Sequence, residues 1–485
     1  MQRKIVIEPV TRVEGHGKVT IHLDAEGKVR ESFFHIVEFR GFERFIQGHP
    51  YWEVPTLVQR LCGICPVSHH LAASKAVDML SGLRPEDLSP TASKVRRLLH
   101  YSQTLQSHAL HFFYLAAPDL LFGLDAPPEK RNVVGVALEH KDLARKGILL
   151  RKFGQEVIRI LAGKRIHGVC AVPGGVYKAM TDAETRRLLT GDSQLPSMDT
   201  VIDWAQETVD FIRDYHTRHA AWLDTFASYP SGHLSLVSAD TGALELYHGR
   251  LRAIDADGNL RLDNVPDTDY RKHFLEAVQS WTFLKFPYLK DFGPENGWSR
   301  VGPLARLNTC THLTTPLAEA ARQAYVGFHG QQVNHHTMHY HWARLIEMLH
   351  CAEVMRDLLS DPDITGNDLL REGSRQPEGI GVVEAPRGTL IHHYQADEKG
   401  QVTQCNLIVS TTHNNEPMNR AVQWVAERVL SGKKELTEGM LNQVEVAIRA
   451  YDPCLSCATH AVGQMPLAVK LLDHQGNVLD ERIKS

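Results

Sequence analysis

The 485-residue chain predicts a mainly α fold with small peripheral β elements, an α+β class, gathered into one large domain. Three observations point there. Apolar residues recur at helical spacing through most of the middle, strand-like alternation is confined to short segments, and two Cys-x-x-Cys pairs stand near opposite ends of the chain. If both ends build one site, the chain between them closes on itself, and no internal repeat, low-complexity tract or Ser/Gly-rich linker divides it.

The first forty residues read as a β-meander of IVIEPV, KVTIHL, a DAEG turn and VRESFFHIVEF, with the glycines of RVEGHG (Arg12 to Gly17) marking a loop or bulge. From Gly41 the period turns helical, through Phe42, Phe45 and Ile46 and then Val54, Leu57, Val58 and Leu61. The stretch RLCGICPVSH, Arg60 to His69, breaks it at Gly63, and Pro66 suits the first turn of the next helix. Ser89 and Pro90 supply an N-cap and a first-turn proline for a long helix to about Leu115.

Helical patterns follow at 138–161, 197–228, 269–284 and 316–328, and a histidine-rich stretch leads into the helix HWARLIEMLHCAEVMRDLLS. Arg250 to Asp263 reads as a peripheral hairpin around Asp-Gly, and 379–412 as two or three strands. Two more helices, NEPMNRAVQWVAERVLSG and TEGMLNQVEVAIRAYDPC, carry the chain to DPCLSCATH, Asp452 to His460.

A net charge of −4 and a pI near 6.7 give no reason to expect nucleic acid or an anionic membrane as partner. Glu8 and Pro9 interrupt the apolar start, so no signal-peptide core forms, and no apolar run is long enough for a membrane span; cytoplasmic residence is the expectation. Of eight cysteines, four lie in the two pairs; Cys170, Cys310, Cys351 and Cys405 read as reduced, packed thiols.

Two paired motifs can offer four thiolates to one centre, a donor set that selects soft or borderline metals. A zinc staple usually joins pairs about 15–20 residues apart, far less than the distance between Cys65 and Cys454. Two independent redox or iron–sulfur motifs are the other reading, but neither pair has a thioredoxin-like setting or a ferredoxin run of cysteines.

The flanks carry more. RxCGxCxxxH followed by DPCxxCxxH resembles the paired signature of the large, catalytic subunit of nickel–iron hydrogenases. Five pieces match in order over nearly the whole chain: RVEGHG at 12–17, FRGFE at 39–43, QRLCGICPVSH at 59–69, EAPRGTL at 384–390 and DPCLSCATH at 452–460. Within that family, IQGHPYWEVPTLVQRLCGICPVSHHLAASKAVD and DPCLSCATHAVGQMP look most like the cytoplasmic bidirectional, NAD-linked enzymes.

The resemblance implies that Cys62, Cys65, Cys454 and Cys457 hold nickel, with Cys65 and Cys457 bridging to an iron that carries carbon monoxide and cyanide. Hydrogen would be split heterolytically, with Cys454 and then Glu14 taking the proton. Arg387 would stand over the open metal position, with Asp119 and Asp452 as its partners. Glu43, His460 and the Leu407 carbonyl would bind magnesium, and the Thr411 hydroxyl would face a cyanide. His69 and His70 are candidates to support the ligating cysteines. His335, His336, His339 and His341 lack the glutamate of an HExxH motif and read as packing or surface groups.

By the same resemblance, residues 1–460 form the catalytic domain, and a maturation protease removes the 25 residues after His460 once nickel-loading factors have acted. No Gly-x-Gly-x-x-Gly fingerprint occurs, so the expected partners are a small subunit with an iron–sulfur cluster, and separate diaphorase subunits with FMN and NAD. The alternatives are an NADP- or F420-linked hydrogenase, a non-catalytic hydrogenase-like protein and a zinc-stapled structural protein. The first is separated by acceptor and partners; the second is disfavoured by the presence of all four cysteines.

Overall fold

The N-terminal meander forms where alternation places it: β1 (Lys4–Ile7), β2 (Gly17–Leu23) and β3 (Val29–Ile36) pair antiparallel in that order. Val19, Ile21, Phe34 and Ile36 are fully buried. This computed structural model describes residues 4–330 and 332–459, and the backbone alone at 467–472 and 478–484.

The long helices are α1 (Pro66–Leu80), α2 (Pro90–Leu110), α3 (Lys141–Ala162) and α4 (Met198–Leu223). Ser89 caps α2 as expected, its hydroxyl accepting the Ala92 N–H at 3.1 Å. The chain runs on through a wide π turn, His111–Ala116, and a last helical segment that stops at Gly123. Farther along are the short α5 (Pro303–Thr309) and the long α6 (Tyr340–Ser360). α6 is buried on every side for most of its length, the mark of a central helix; α2 and α4 pack against it.

A three-stranded antiparallel sheet, β4 (Glu378–Ala385), β5 (Gly388–Ala396) and β6 (Val402–Ile408), lies against α1. A Cβ at Gly381 would come within 2.0 Å of the Ala72 carbonyl oxygen, so only glycine permits this approach. It brings the helix that begins after Cys65 against the hairpin that carries Arg387. α7 (Asn415–Val429) and α8 (Glu438–Ala450) follow. Asn419 of α7 accepts the Phe34 N–H at 2.8 Å, tying the C-terminal half to the first sheet. One buried apolar cluster includes residues from Ile7 to Ala458.

Two elements differ from the sequence reading. Residues 269–284 form one helical turn, Tyr270–His273, and then a strand, Phe274–Ala277, paired antiparallel with Phe286–Leu289. Phe274 and Leu289 enter the same core cluster, and that tertiary pairing overrides the local helical period. The Arg250–Asp263 hairpin is not peripheral: its strands join Gly232–Val237 and Ser299–Arg300 in a four-stranded sheet, with Leu251 and Ala253 fully buried. Beyond Thr459, the backbone at Leu467–Leu472 pairs antiparallel with Val478–Lys484. Among the described residues, no helix is long and apolar enough to cross a membrane.

Candidate metal centre

The first cysteine pair sits on a loop between a short 3-10 turn, Val58–Leu61, and the start of α1, where Cys65 immediately precedes Pro66. The loop backbone is gripped from several sides. Gln103 and Gln106 of α2 donate to the Ile64 carbonyl at 2.8 and 3.0 Å, and His167 lies 3.0 Å from the Cys62 carbonyl. The N–H groups of Ile64 and Cys65 point at Cys62 Sγ, at 3.1 and 3.4 Å.

The second pair opens the short helix α9 (Leu455–Ala458) and depends on two side chains. The Cys454 N–H donates to Thr411 Oγ1 at 2.9 Å, and the Ser456 N–H to Glu14 Oε2 at 3.0 Å. The Glu14 main-chain carbonyl accepts the Leu455 N–H at 3.0 Å. Glu14 Oε2 also lies 3.0 Å from Cys454 Sγ.

Both loops bring their sulfurs to one place. Cys62 and Cys454 are 3.2 Å apart, Cys65 and Cys457 3.5 Å, Cys454 and Cys457 2.8 Å, and all four sulfurs lie within 4.8 Å of one another. None of these is a disulfide. Among the described residues no other group of three or more His, Cys, Asp or Glu side chains converges this closely.

Every cysteine of the four is buried. Burial pushes the Cys454 and Cys457 thiols well above the ordinary range, whereas hydrogen bonds from Cys454, Cys457 and Cys65 pull Cys62 well below it. Four such groups ionise together only around a cation, and four soft sulfurs match nickel or another thiophilic ion. The donor set therefore fits the metal that the motif implies.

Over the sulfurs, Arg387, Thr411, His69 and Pro386 help line a small pocket. Arg387 donates through Nε to the Asp452 carbonyl at 2.6 Å and through Nη2 to Asp452 Oδ1 at 3.0 Å, while its buried Nη1 has no hydrogen-bond partner among the described residues. Burial opposes the guanidinium charge, but Asp452, Cys454, Cys65 and Cys62 outweigh it and raise the pKa. His69 Nε2 lies 3.2 Å from Cys457 Sγ, and its Nδ1 lies 3.0 Å from His392 Nε2.

Asp119 is a correction. It pairs with Arg12 at 2.5 Å and with Arg449 at 2.5 Å, and Arg387 has only Asp452 as its acidic partner among the described residues. The two cations flanking Asp119 hold its carboxyl below the ordinary range against the cost of burial. Asp119 thus anchors the start of the RVEGHG turn.

Glu43 Oε1 accepts the Leu407 N–H at 2.8 Å and lies 3.7 Å from Lys285 Nζ. In an antiparallel strand a residue's N–H and C=O point to the same side, so the Leu407 carbonyl also faces off the sheet edge toward Glu43. Burial raises the Glu43 pKa, and Lys285 works against that. His460 lies outside the described residues. His70 stands behind the loop, its ring between the Pro55 carbonyl at 2.9 Å and the Ala171 N–H at 3.0 Å.

The remaining histidines make structural contacts: His335 with the Ala256 carbonyl, His336 with Ser228 and His339 with Asp224. Motif reading missed His392 and Arg344, which approach the centre from strand β5 and helix α6. Their signal was polar residues set among apolar ones, in LIHHY and HWARLIEML.

A family model described as nickel-dependent hydrogenase matches residues 40–129 and 253–460, and one described as HoxL-like matches 4–39. The chain belongs to the nickel-dependent hydrogenase family. It is the catalytic subunit of a hydrogenase, an oxidoreductase. This subunit is 51% identical to the NAD-reducing hydrogenase HoxS subunit beta of Cupriavidus necator over 100% of both chains. It is 40% identical to an F420-non-reducing hydrogenase protein of Methanothermobacter thermautotrophicus, over 98% of this chain and 99% of that one.

A crystal structure of an NAD+-reducing [NiFe]-hydrogenase in the H2-reduced state superposes with a TM-score of 0.91 at 55% identity, covering 94% of this chain and 99% of that chain. The [NiFeSe]-hydrogenase of Dm. baculatum, at 22% identity and a TM-score of 0.74 over 95% and 100% of the two chains, shares the fold.

Proposed function

We propose that this hydrogenase subunit reversibly splits dihydrogen into protons and electrons, and that the electrons pass through partner iron–sulfur and flavin subunits to NAD+. One observation carries the reading: four buried sulfurs converge, with the Glu14 carboxylate 3.0 Å from one of them, Cys454 Sγ.

A nickel–iron centre bearing carbon monoxide and cyanide would be held by Cys62, Cys65, Cys454 and Cys457, and would supply the Lewis acidity and electron-accepting capacity for this chemistry. Cys454 Sγ then takes the proton and hands it to Glu14 Oε2, the adjacent acceptor, which is part-exposed and leads outward. Arg387 is fixed by Asp452, with Nη1 left over to polarise the reacting molecule or hold its water.

Thr411 uses its oxygen lone pair on Cys454 N–H, which leaves the hydroxyl hydrogen to face a cyanide in the pocket it lines. His69 steadies Cys457. Glu43 and the Leu407 carbonyl, with His460, suit a sparsely liganded, hydrated magnesium ion, Lys285 sharing the carboxylate.

The NAD linkage rests on the full-length likeness to the Cupriavidus necator protein. With it come an iron–sulfur small subunit, FMN-containing diaphorase subunits and cytoplasmic residence. A maturation protease would remove the residues after His460 once nickel-loading factors have filled the site. The test is hydrogen-driven reduction by the assembled complex of NAD+, NADP+ and coenzyme F420 in parallel. NAD+ is expected to be reduced fastest; preference for another acceptor would overturn the NAD assignment.

A further inference from the structure

Two buried arginines meet at the Arg387 turn, and they use their donors differently. Arg306, on α5, has no exposed surface and commits all five N–H groups. Nε and Nη2 each reach a carboxylate oxygen of Glu347 at 2.6 Å. Nη1 reaches Glu384 Oε2 at 2.7 Å and the Ala385 carbonyl at 3.0 Å, and Nη2 reaches the Pro386 carbonyl at 3.1 Å.

Those two carbonyls immediately precede Arg387. The carboxylates are themselves fixed: Glu347 by His108 at 2.7 Å, and Glu384 by the Leu236 N–H at 3.0 Å and the Thr389 hydroxyl at 2.7 Å. Glu384 and Thr389 face one another across the β4–β5 hairpin, so the bond between them closes the base of the turn. Gly302, just before α5, lies so near that a Cβ there would stand 2.7 Å from the Arg387 carbonyl oxygen.

We propose that Arg306 is a positioning residue that clamps the Ala385–Pro386 backbone and so presents the Arg387 guanidinium to the sulfur pocket. Buried ion pairs are poor sources of stability next to apolar packing, and their use lies in geometry. Lysine would keep the charge but has no planar fork, and cannot reproduce five bonds to two carboxylates and two carbonyls. The clamp rests on the reading of Arg387 given above.

The test is a double-mutant cycle on the assembled hydrogenase, with Arg306→Lys, Arg387→Lys and the double variant assayed for hydrogen–deuterium exchange and nickel content. Arg306→Lys is expected to keep its nickel and lose exchange by about 10- to 100-fold, the scale of an ångström-sized misplacement. The double variant is expected to be no slower than Arg387→Lys alone. Losses that multiply, or an unaffected Arg306→Lys enzyme, would overturn the clamp while leaving the role of Arg387 intact. An unaffected Arg387→Lys enzyme would instead remove that role, and the clamp with it. If Arg306→Lys fails to load nickel, Glu347→Gln enters the same cycle with the same expectations.

Discussion

The first cysteine pair is held through main-chain carbonyls that α2 and His167 grip from behind, whereas the second pair is held by the Glu14 and Thr411 side chains and one main-chain bond from Leu455 to the Glu14 carbonyl. The first is therefore a shelf built into the helix packing. The second docks onto that shelf by polar contacts that can be broken one at a time, as a site closed last requires. Glu14 also combines two tasks, holding the Ser456 N–H and receiving from Cys454, and these can be separated.

The largest effect should come from Glu14→Gln. The amide oxygen still accepts the Ser456 N–H, so nickel is retained, but it cannot take a proton, and exchange should fall by roughly 10²- to 10⁴-fold. Unchanged hydrogen–deuterium exchange would refute the relay.

Thr411→Val strands the Cys454 N–H, a buried donor, at a cost of about 1–3 kcal/mol, read as a lower melting temperature; Thr411→Ser should be nearly neutral. Gln103→Met should cost less, about 0.5–1.5 kcal/mol, because Gln106 still satisfies the Ile64 carbonyl. Equal costs would erase the contrast between the two pairs.

The support behind the first pair also responds to pH. Burial lowers His70, behind the first pair, from 6.5 to about 4. The unfolded chain therefore binds that proton first as the pH falls. The stability is fully present above pH 6.5 and is lost on the way down toward about 4, by roughly tenfold in the folding equilibrium per unit. His100, His108 and His350, also lowered to about 4 by burial, act in the same direction. Melting temperatures that stay flat as the pH drops below 6.5 would contradict this.

The cysteines were legible because metal ligands obey local spacing, each Cys-x-x-Cys announcing itself within four residues, whereas Glu14, Glu43 and Arg387 were reached only through the resemblance of their short motifs to the family's. What stayed hidden depends on the fold's long-range pairings. Asp119 and Asp452 look alike in sequence, and only the packing of α8 against the N-terminal turn gives Asp119 to Arg12 and Arg449. Arg306 lies in PLARLNT, where nothing local shows that it faces Glu347 and Glu384. The 269–284 segment failed for a different reason: its partner strand, Phe286–Leu289, begins just past it, and that local pairing wins over the helical period.

Whether these four sulfurs hold nickel beside an iron bearing diatomic ligands is tested most directly by metal analysis of the purified complex together with infrared spectroscopy. Nickel and iron are expected in equal amounts at the centre of each chain, with bands of bound carbon monoxide and cyanide. Zinc without nickel, and no such bands, would contradict the assignment.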